Sequence, residues 1–287
     1  MGIHAEHLTH IYNPDLPYRH TALEDVSFEI MDGEFVGIIG HTGSGKSTLL
    51  QHLNGLLKPS EGRIVVGDCD ITDPKTVMRD IRRRIGLVFQ YPEYQLFEET
   101  VAKDVAYGPL NLGLSEAEAE AATRRAIALV GLDYDEIADR SPFDLSGGQK
   151  RRVAIAGVAA MDPEVLILDE PTAGLDPKAH DEVLAVVRKL HREKGNITIL
   201  VSHNMEDIAK YCDKVLVMER GRLVMQGTPR EIFSARETLE DMGLALPPVN
   251  DLVCRLHENG LPIATDIFDI DAAEEAICEI LKGKNRV

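Results

Sequence analysis

The chain has 287 residues, 44% of them hydrophobic, enough to bury one large core or one core and a smaller appended domain, and too many for a disordered chain. A formal net charge of −17 argues against a broad nucleic-acid-binding surface, because neutralisation of phosphates by Lys and Arg supplies most of that affinity. No apolar run approaches the roughly 18 to 20 residues that cross a bilayer, and Met1 to Glu6 match neither a signal peptide nor a myristoylation site, so the expectation is a cytosolic protein that meets a membrane only through a protein partner.

In chain order, a first strand ending at Tyr12 is followed by alternation from Leu23 to Ile30 that predicts an antiparallel strand. Phe35 to Ile39 is a continuous apolar run. Between it and a leucine-rich helix pattern lies the glycine-rich stretch Gly40-His41-Thr42-Gly43-Ser44-Gly45-Lys46-Ser47-Thr48. Arg79 to Arg84 carries four arginines around Asp80 and Ile81 and reads as a solvated helix face. Ile85 to Phe89 predicts another strand. From Glu98 to Met161 helix formers dominate, as in Ser115 to Val130, where Ser115 and Glu118 form a capping-box start, so this stretch reads as a helical insertion. Val165 to Leu168 and Ile197 to Val201 predict two more buried strands, and Val215 to Met218 with Leu223 to Met225 predicts a closing hairpin. Strands alternating with helices imply the α/β class, a mainly parallel sheet covered on both faces, with an antiparallel piece before the glycine-rich loop.

After Thr228-Pro229 the composition shifts. Pro247-Pro248 precedes a helix pattern from Val249 to His257, Ile263 to Ile270 alternates like a strand, and a last helix is expected with Asp271 and Glu274 as its cap, Ala276, Ile277, Ile280 and Leu281 as its apolar stripe and Gly283 as its end. Residues 229 to 287 hold 12 acidic and 6 basic residues. The expected division is therefore 1–228 for the sheet domain, with a helical subdomain inserted at about 98–161, and 229–287 for a small α+β extension serving dimerisation or regulation. The cysteines, Cys69, Cys212, Cys254 and Cys278, form no Cys-x-x-Cys pair and read as reduced, mostly buried thiols.

Three stretches carry chemistry. In Gly40 to Thr48 the glycines let backbone N–H groups turn inward around phosphate oxygens, Lys46 adds a point charge at the β- and γ-phosphates, and the Ser47 hydroxyl suits Mg²⁺; a structural Gly-rich turn is the alternative. Asp169-Glu170 puts two carboxylates at the carboxyl edge of the sheet, about 120 residues after the P-loop: Asp169 for the metal or its water, Glu170 as general base for the attacking water. Leu145-Ser146-Gly147-Gly148-Gln149, followed by Lys150-Arg151-Arg152 and a helical run, offers a second phosphate grip at a helix N-terminus, or else an ordinary helix cap.

Gly40 to Thr48, Gln90 after an apolar strand, Leu145 to Gln149, Val165 to Glu170, Ala173-Gly174-Leu175-Asp176 and His203 after a strand occur in the order of an ABC-transporter ATP-binding subunit, and residues 3 to 228 closely resemble one. The resemblance implies a P-loop NTPase fold and ATP as ligand. It implies a head-to-tail dimer with two ATPs sandwiched, each between the P-loop of one subunit and the Leu145 to Gln149 signature of the other. Gln90 resembles the residue that contacts Mg²⁺ and water, His203 the switch histidine at the γ-phosphate and Asp176 the residue that links the two sites. Tyr12 resembles the aromatic that stacks on adenine, with Tyr18 as the lesser candidate. A hydrogen-bonded structural role for His203 and simple packing for Tyr12 are the alternatives.

The stretch Phe89 to Val101, continuing to Tyr107-Gly108-Pro109, resembles the ATPases of energy-coupling factor (ECF) transporters and of the cobalt-type CbiO group. Pro92-Glu93-Tyr94-Gln95-Leu96-Phe97 and Ser202-His203-Asn204-Met205-Glu206-Asp207 look like the A2-type subunit. That implies pairing with a second, non-identical ATPase beneath a transmembrane T subunit, with S subunits capturing vitamin or metal, and a position at the cytoplasmic face of the membrane. A homodimeric CbiO-like metal importer and a soluble non-transport ABC ATPase are the rivals. Tyr91, Tyr94 and Phe97 supply aromatic surface for a groove that receives a partner helix, or else pack locally against the helical insertion.

Overall fold

Residues 2–284 are described by the structure, a computed structural model; the outer ends of the two expected domains, Met1 and 285–287, lie outside the described residues. Ten strands run through the described residues: β1 (Ile3–Tyr12), β2 (His20–Ile30), β3 (Phe35–Ile39), β4 (Glu61–Val66), β5 (Cys69–Asp70), β6 (Ile85–Val88), β7 (Val165–Asp169), β8 (Ile197–Val201), β9 (Lys214–Glu219) and β10 (Arg222–Gly227). They divide into an antiparallel sheet ordered β2-β1-β4-β5 and a second sheet ordered β10-β9-β3-β8-β7-β6. From β9 to β6 the second sheet is parallel, and the β9–β10 hairpin closes it with its one antiparallel pair. Every residue of β3, β6 and β8 is buried, as an interior parallel sheet requires of strands that carry side chains on two covered faces.

The pleat sends alternate residues into two cores. Val36 and Ile38 of β3 join Leu49, Leu50 and Leu53 of the helix Lys46–Leu53 and the antiparallel sheet. Phe35 and Ile39 face the other way, onto the helices Gly147–Ala159 and Pro177–Lys194. The insertion is helical, over Val101–Asn111, Glu116–Leu129, Tyr134–Ile137 and Gly147–Ala159, and the Ser115–Glu118 capping box forms. No helix among the described residues is long and apolar enough to cross a membrane.

The C-terminal stretch differs from its sequence pattern in several places. Ile232, Phe233, Leu239, Leu244 and Leu246 belong to the same core as Phe35 and Ile39, whereas Val253, Ile263 and Ala273 form a separate small core. Pro248–Glu258 is a helix as expected, but Ile263 to Ile270 is not a strand. Its carbonyls are taken by helix side chains: His257 Nδ1 lies 2.8 Å from Ile263 O, and Asn250 Nδ2 donates to Thr265 O at 2.6 Å and Ile267 O at 3.3 Å. The last helix, Ile270–Lys284, is capped by Asp269 rather than Asp271, runs through Gly283, and leaves Leu281 exposed.

Two smaller expectations also change. The arginines of the helix Met78–Arg84 are not all solvated, since Arg84 pairs with Asp68 and Glu164 while Arg79 and Arg82 line a groove. Only Cys212 of the four cysteines is buried; Cys69, Cys254 and Cys278 are half-buried, and none forms a disulfide.

Candidate nucleotide-binding site

Strand β3 delivers the chain into the glycine-rich loop, whose backbone only glycine fits. Gly40 has φ +147° and Gly45 φ +102°, and a Cβ on them would lie 2.2 Å from Met218 O and 2.6 Å from Ala22 O. The helix Lys46–Leu53 starts at once, with Gly45 at its N-cap and no side chain capping it, so the first N–H groups and the positive end of the helix dipole are open to an anion. Lys46 is buried, and its Nζ donates to Gly40 O at 2.5 Å and His41 O at 2.9 Å. Burial pushes its ammonium pKa down, and the carboxylates of Glu170 and Asp169 push it back up.

The parallel register pairs Asp169 of β7 with Val201 of β8, which sets the turns after the two strands side by side. Glu170, in the left-handed region at φ +48°, has both carboxylate oxygens engaged: His203 Nε2 lies 2.6 Å from Oε1 and Gln90 Nε2 donates to Oε2 at 3.1 Å. Ser47 Oγ donates to Asp169 Oδ2 at 3.3 Å. Burial, with the neighbouring Glu170 charge adding to it, raises the Asp169 pKa above the ordinary aspartate value.

A cleft of about 340 Å³ brings together Tyr12, Lys46, Ser47, Gln90, Glu170 and His203, with Thr42, Gly43 and Thr48 on its wall. Tyr12 reaches Thr48, Oη to Oγ1, at 3.4 Å. Tyr18 is exposed and lies outside the cleft. His41 points its ring away, toward Met242 O, and Ser44 is buried.

The signature stretch opens a separate depression. Gly147 and Gly148 lie there beside Asp176, whose carboxylate caps the helix Pro177–Lys194 by accepting from Lys178 N and Ala179 N, each at 3.0 Å. Ser146 and Gln149 form a reciprocal capping box. Leu145, just before that cap, is buried in the main core and anchors the start of the helix.

Sequence reasoning passed over Arg151. Its side chain is 2% exposed and makes four bonds: Nη2 and Nε to Glu93 at 2.8 and 3.1 Å, and Nη1 to Pro171 O and Ala173 O at 2.9 and 2.8 Å. One arginine thus joins the loop after Gln90 to the loop after Glu170. The available signal was its place one helical turn before the apolar Ile155, on the face that turns inward.

A groove of about 560 Å³ lies beyond the same loop, lined by Phe89, Phe97, Tyr107, Arg79, Arg82 and Met161. Phe97 stands edge-on to Tyr107 with ring centroids 4.8 Å apart. Tyr91 and Tyr94, expected beside Phe97, are not in it: Tyr91, at φ +56°, faces the Arg151 guanidinium at 5.9 Å, and Tyr94 projects into solvent.

The family model for ABC transporters matches residues 23–173. An energy-coupling factor transporter ATP-binding protein EcfA2 of Clostridium tetani is 55% identical over 284 residues, 99% of each chain. Among solved structures, cbiO1 of Clostridium perfringens, described as part of the ABC transporter complex cbiONQ, is 39% identical and superposes with a TM-score of 0.73 over 87% of this chain and 97% of that one. The ATP-binding cassette MJ0796, in a dimeric post-hydrolysis state bound to ADP and Pi, is 29% identical with a TM-score of 0.71 over 79% of this chain and 99% of that one. With the P-loop, the paired carboxylates and the signature helix arranged as described, the chain belongs to the ABC transporter family and, within it, to the energy-coupling factor transporter ATP-binding proteins.

Proposed function

We propose that this chain is the ATP-hydrolysing subunit of an ECF importer, and that Glu170, held between His203 and Gln90 across the cleft from Lys46, is its catalytic base. That three-residue contact is the observation that carries the reading. ATP lies with its phosphates against Gly40 to Thr48 and its adenine against Tyr12. Lys46 gives up the carbonyls of Gly40 and His41 for the β- and γ-phosphates. Glu170 takes a proton from the attacking water, with His203 and Gln90 fixing the carboxylate's direction, and His203 then faces the charge that develops on the γ-phosphoryl group.

The donor set suits Mg²⁺: a hydroxyl and a half-buried carboxylate 3.3 Å apart, with the Asp169 pKa raised by burial and by the Glu170 charge, against the opposing pull of Lys46 and His203. Among the described residues no group of three or more His, Cys, Asp or Glu side chains could hold an ion unaided, which fits a cation that shares its coordination with nucleotide phosphates. Ser47, Asp169 and Gln90 would hold it, and bound there it supplies charge neutralisation between the phosphates.

The dimeric state of MJ0796 supports a sandwich in which the Leu145 to Gln149 signature of one subunit closes on the ATP of the other, with Asp176 between the sites. The names of the relatives support an ECF complex with a second ATPase, a membrane T subunit and S subunits. In our reading the Phe97 groove, apolar and open, receives the T subunit, and the S subunits deliver vitamins or transition-metal ions. Membrane association then runs through protein partners at the cytoplasmic face. The core memberships support ending the catalytic domain near Leu246 and leaving 247–284 as the dimerisation or regulatory unit, rather than dividing the chain at 228. Purification of the chain from its cells in mild detergent tests the assembly. Recovery of a second ABC ATPase with a polytopic membrane protein supports it, whereas a homodimer with one dedicated permease, or ribosomal proteins, overturns it.

A further inference from the structure

Among the described residues the P-loop touches the C-terminal stretch through a polar contact of His41. His41 Nε2 lies 2.6 Å from Met242 O, and since a carbonyl only accepts, the ring nitrogen carries the hydrogen. The acceptor is held rigidly. It follows the helix Arg236–Asp241, in a turn closed by Gly243 N to Glu240 O and Leu244 N to Leu239 O, each at 2.8 Å, with Leu239 and Leu244 buried in the main core. Gly243 has φ +68°, and a Cβ there would come within 3.0 Å of His41 Nε2, so the turn has room for this ring and for little else.

Contacts continue in both directions. Arg236 bonds Glu240 of its own helix at 2.7 Å and reaches Asp251 at 3.3 Å and Glu258 at 3.2 Å on the helix Pro248–Glu258, which belongs to the small C-terminal core. On the other side, the His41 carbonyl is one of the two that hold Lys46 Nζ. Bonded groups therefore run from the C-terminal unit through Arg236 and the turn at Met242 to the His41 ring, and so to the backbone of the phosphate loop itself.

We propose that His41 is a positioning residue that couples ATP occupancy to the C-terminal unit: phosphate bound in the loop fixes its backbone, the ring anchors the turn at Met242, and Arg236 passes the constraint to 248–258. The inference rests on the reading of Gly40 to Thr48 as the ATP site. Coupling of this kind is reciprocal, so whatever ATP does to the order of the turn, loosening the turn does to ATP affinity by the same factor.

Hydrogen exchange of the full-length chain, with and without ATP in the presence of EDTA, tests it alongside equilibrium ATP binding. ATP binding by the unaltered chain tests the site itself, separately from the coupling. The expected result is that ATP slows exchange at Gly243 and Leu244 about tenfold, and that His41→Phe, which keeps a ring and removes the donor, abolishes this slowing and weakens ATP binding by the same factor, about tenfold, while exchange protection along the helix Lys46–Leu53 persists. Arg236→Ala leaves slowing at the turn but removes it from 248–258. Slowing at Gly243 and Leu244 that is absent in the unaltered chain while ATP binds, or equal in His41→Phe, overturns the coupling.

Discussion

His203 Nε2 sits 2.6 Å from Glu170 Oε1, and it does so because β7 and β8 run parallel in a register that pairs Asp169 with Val201. The Gln90 amide holds the other oxygen, so the carboxylate cannot rotate. A carboxylate can accept a proton and an amide cannot, so Glu170→Gln is expected to bind ATP within about threefold of the unaltered chain. Its kcat is expected to fall about a thousandfold, within the range of general-base loss. Phosphate release and nucleotide binding measured on one preparation check this, and turnover near the original rate removes Glu170 as the base.

Asp169 carries a destabilising charge when no cation is present. Its pKa in the folded chain is raised by burial and by Glu170, so the folded state holds the proton more tightly than the unfolded state does. The contribution to stability is therefore present below the ordinary aspartate value of about 4 and is lost as pH rises through the raised pKa. At pH 7 Asp169→Asn is expected to melt about 3 °C higher than the unaltered nucleotide-free chain, the shift of about 1 kcal/mol in a domain of this size. The advantage shrinks toward pH 4, and the variant loses the added stability that ATP with Mg²⁺ confers. Thermal unfolding from pH 4 to 8 decides it, and equal melting curves at pH 7 refute the assigned strain.

What could be read from the chain depended on whether a local pattern decided the structure. Phe35 to Ile39 followed by glycines, and Ile197 to Val201 as an uninterrupted apolar run, are buried strands because neither side chain parity can face water. Ser115 and Glu118 formed their capping box from residues three apart. The stretch Ile263 to Ile270 has the parity of a strand but no sheet edge beside it, and the side chains of Asn250 and His257 satisfy its carbonyls instead. Tyr91, Tyr94 and Phe97 looked equivalent in the sequence, yet the left-handed turn at Tyr91 sends the tyrosines away from the groove. The meeting of Glu170 with His203, and of Arg151 with Glu93, depends on strand register and helix placement, which no window of sequence contains.

Arg151 shows the cost of half a buried pair. Its guanidinium and the Glu93 carboxylate leave water together, and the remaining donors are satisfied by the carbonyls of Pro171 and Ala173. Removing one partner strands the other charge, so Arg151→Ala is expected to destabilise the chain by about 3–5 kcal/mol. The double variant Arg151→Met with Glu93→Leu, which removes both charges and keeps apolar volume, is expected to recover at least half of that loss. It does not recover hydrolysis, because the loops after Gln90 and Glu170 are no longer tied. Urea unfolding of the two variants is the measurement. A double variant as unstable as the single one means that packing, not charge, sets the cost.

Phe97 tests the groove without disturbing the site. The side chain is 57% exposed, so replacing it changes folding stability little, and it lies outside the cleft that holds Glu170. Phe97→Asp sets a carboxylate among Phe89, Tyr107 and Met161, close to Asp104, whose Oδ2 already accepts the N–H groups of Phe97 and Glu98 at 2.9 Å. An apolar partner helix entering that groove would have to desolvate two acids, so recovery of the membrane subunit with this chain is expected to fall at least tenfold, the equivalent of about 1.4 kcal/mol. ATP hydrolysis by the isolated chain stays within about twofold, as expected of an exposed change outside the reaction centre. Co-purification in detergent, followed by uptake in whole cells, separates the two effects: full recovery of the complex with full uptake rules the groove out as the docking site, and loss of hydrolysis in the isolated chain shows instead that Phe97 acts through the loop that carries Gln90.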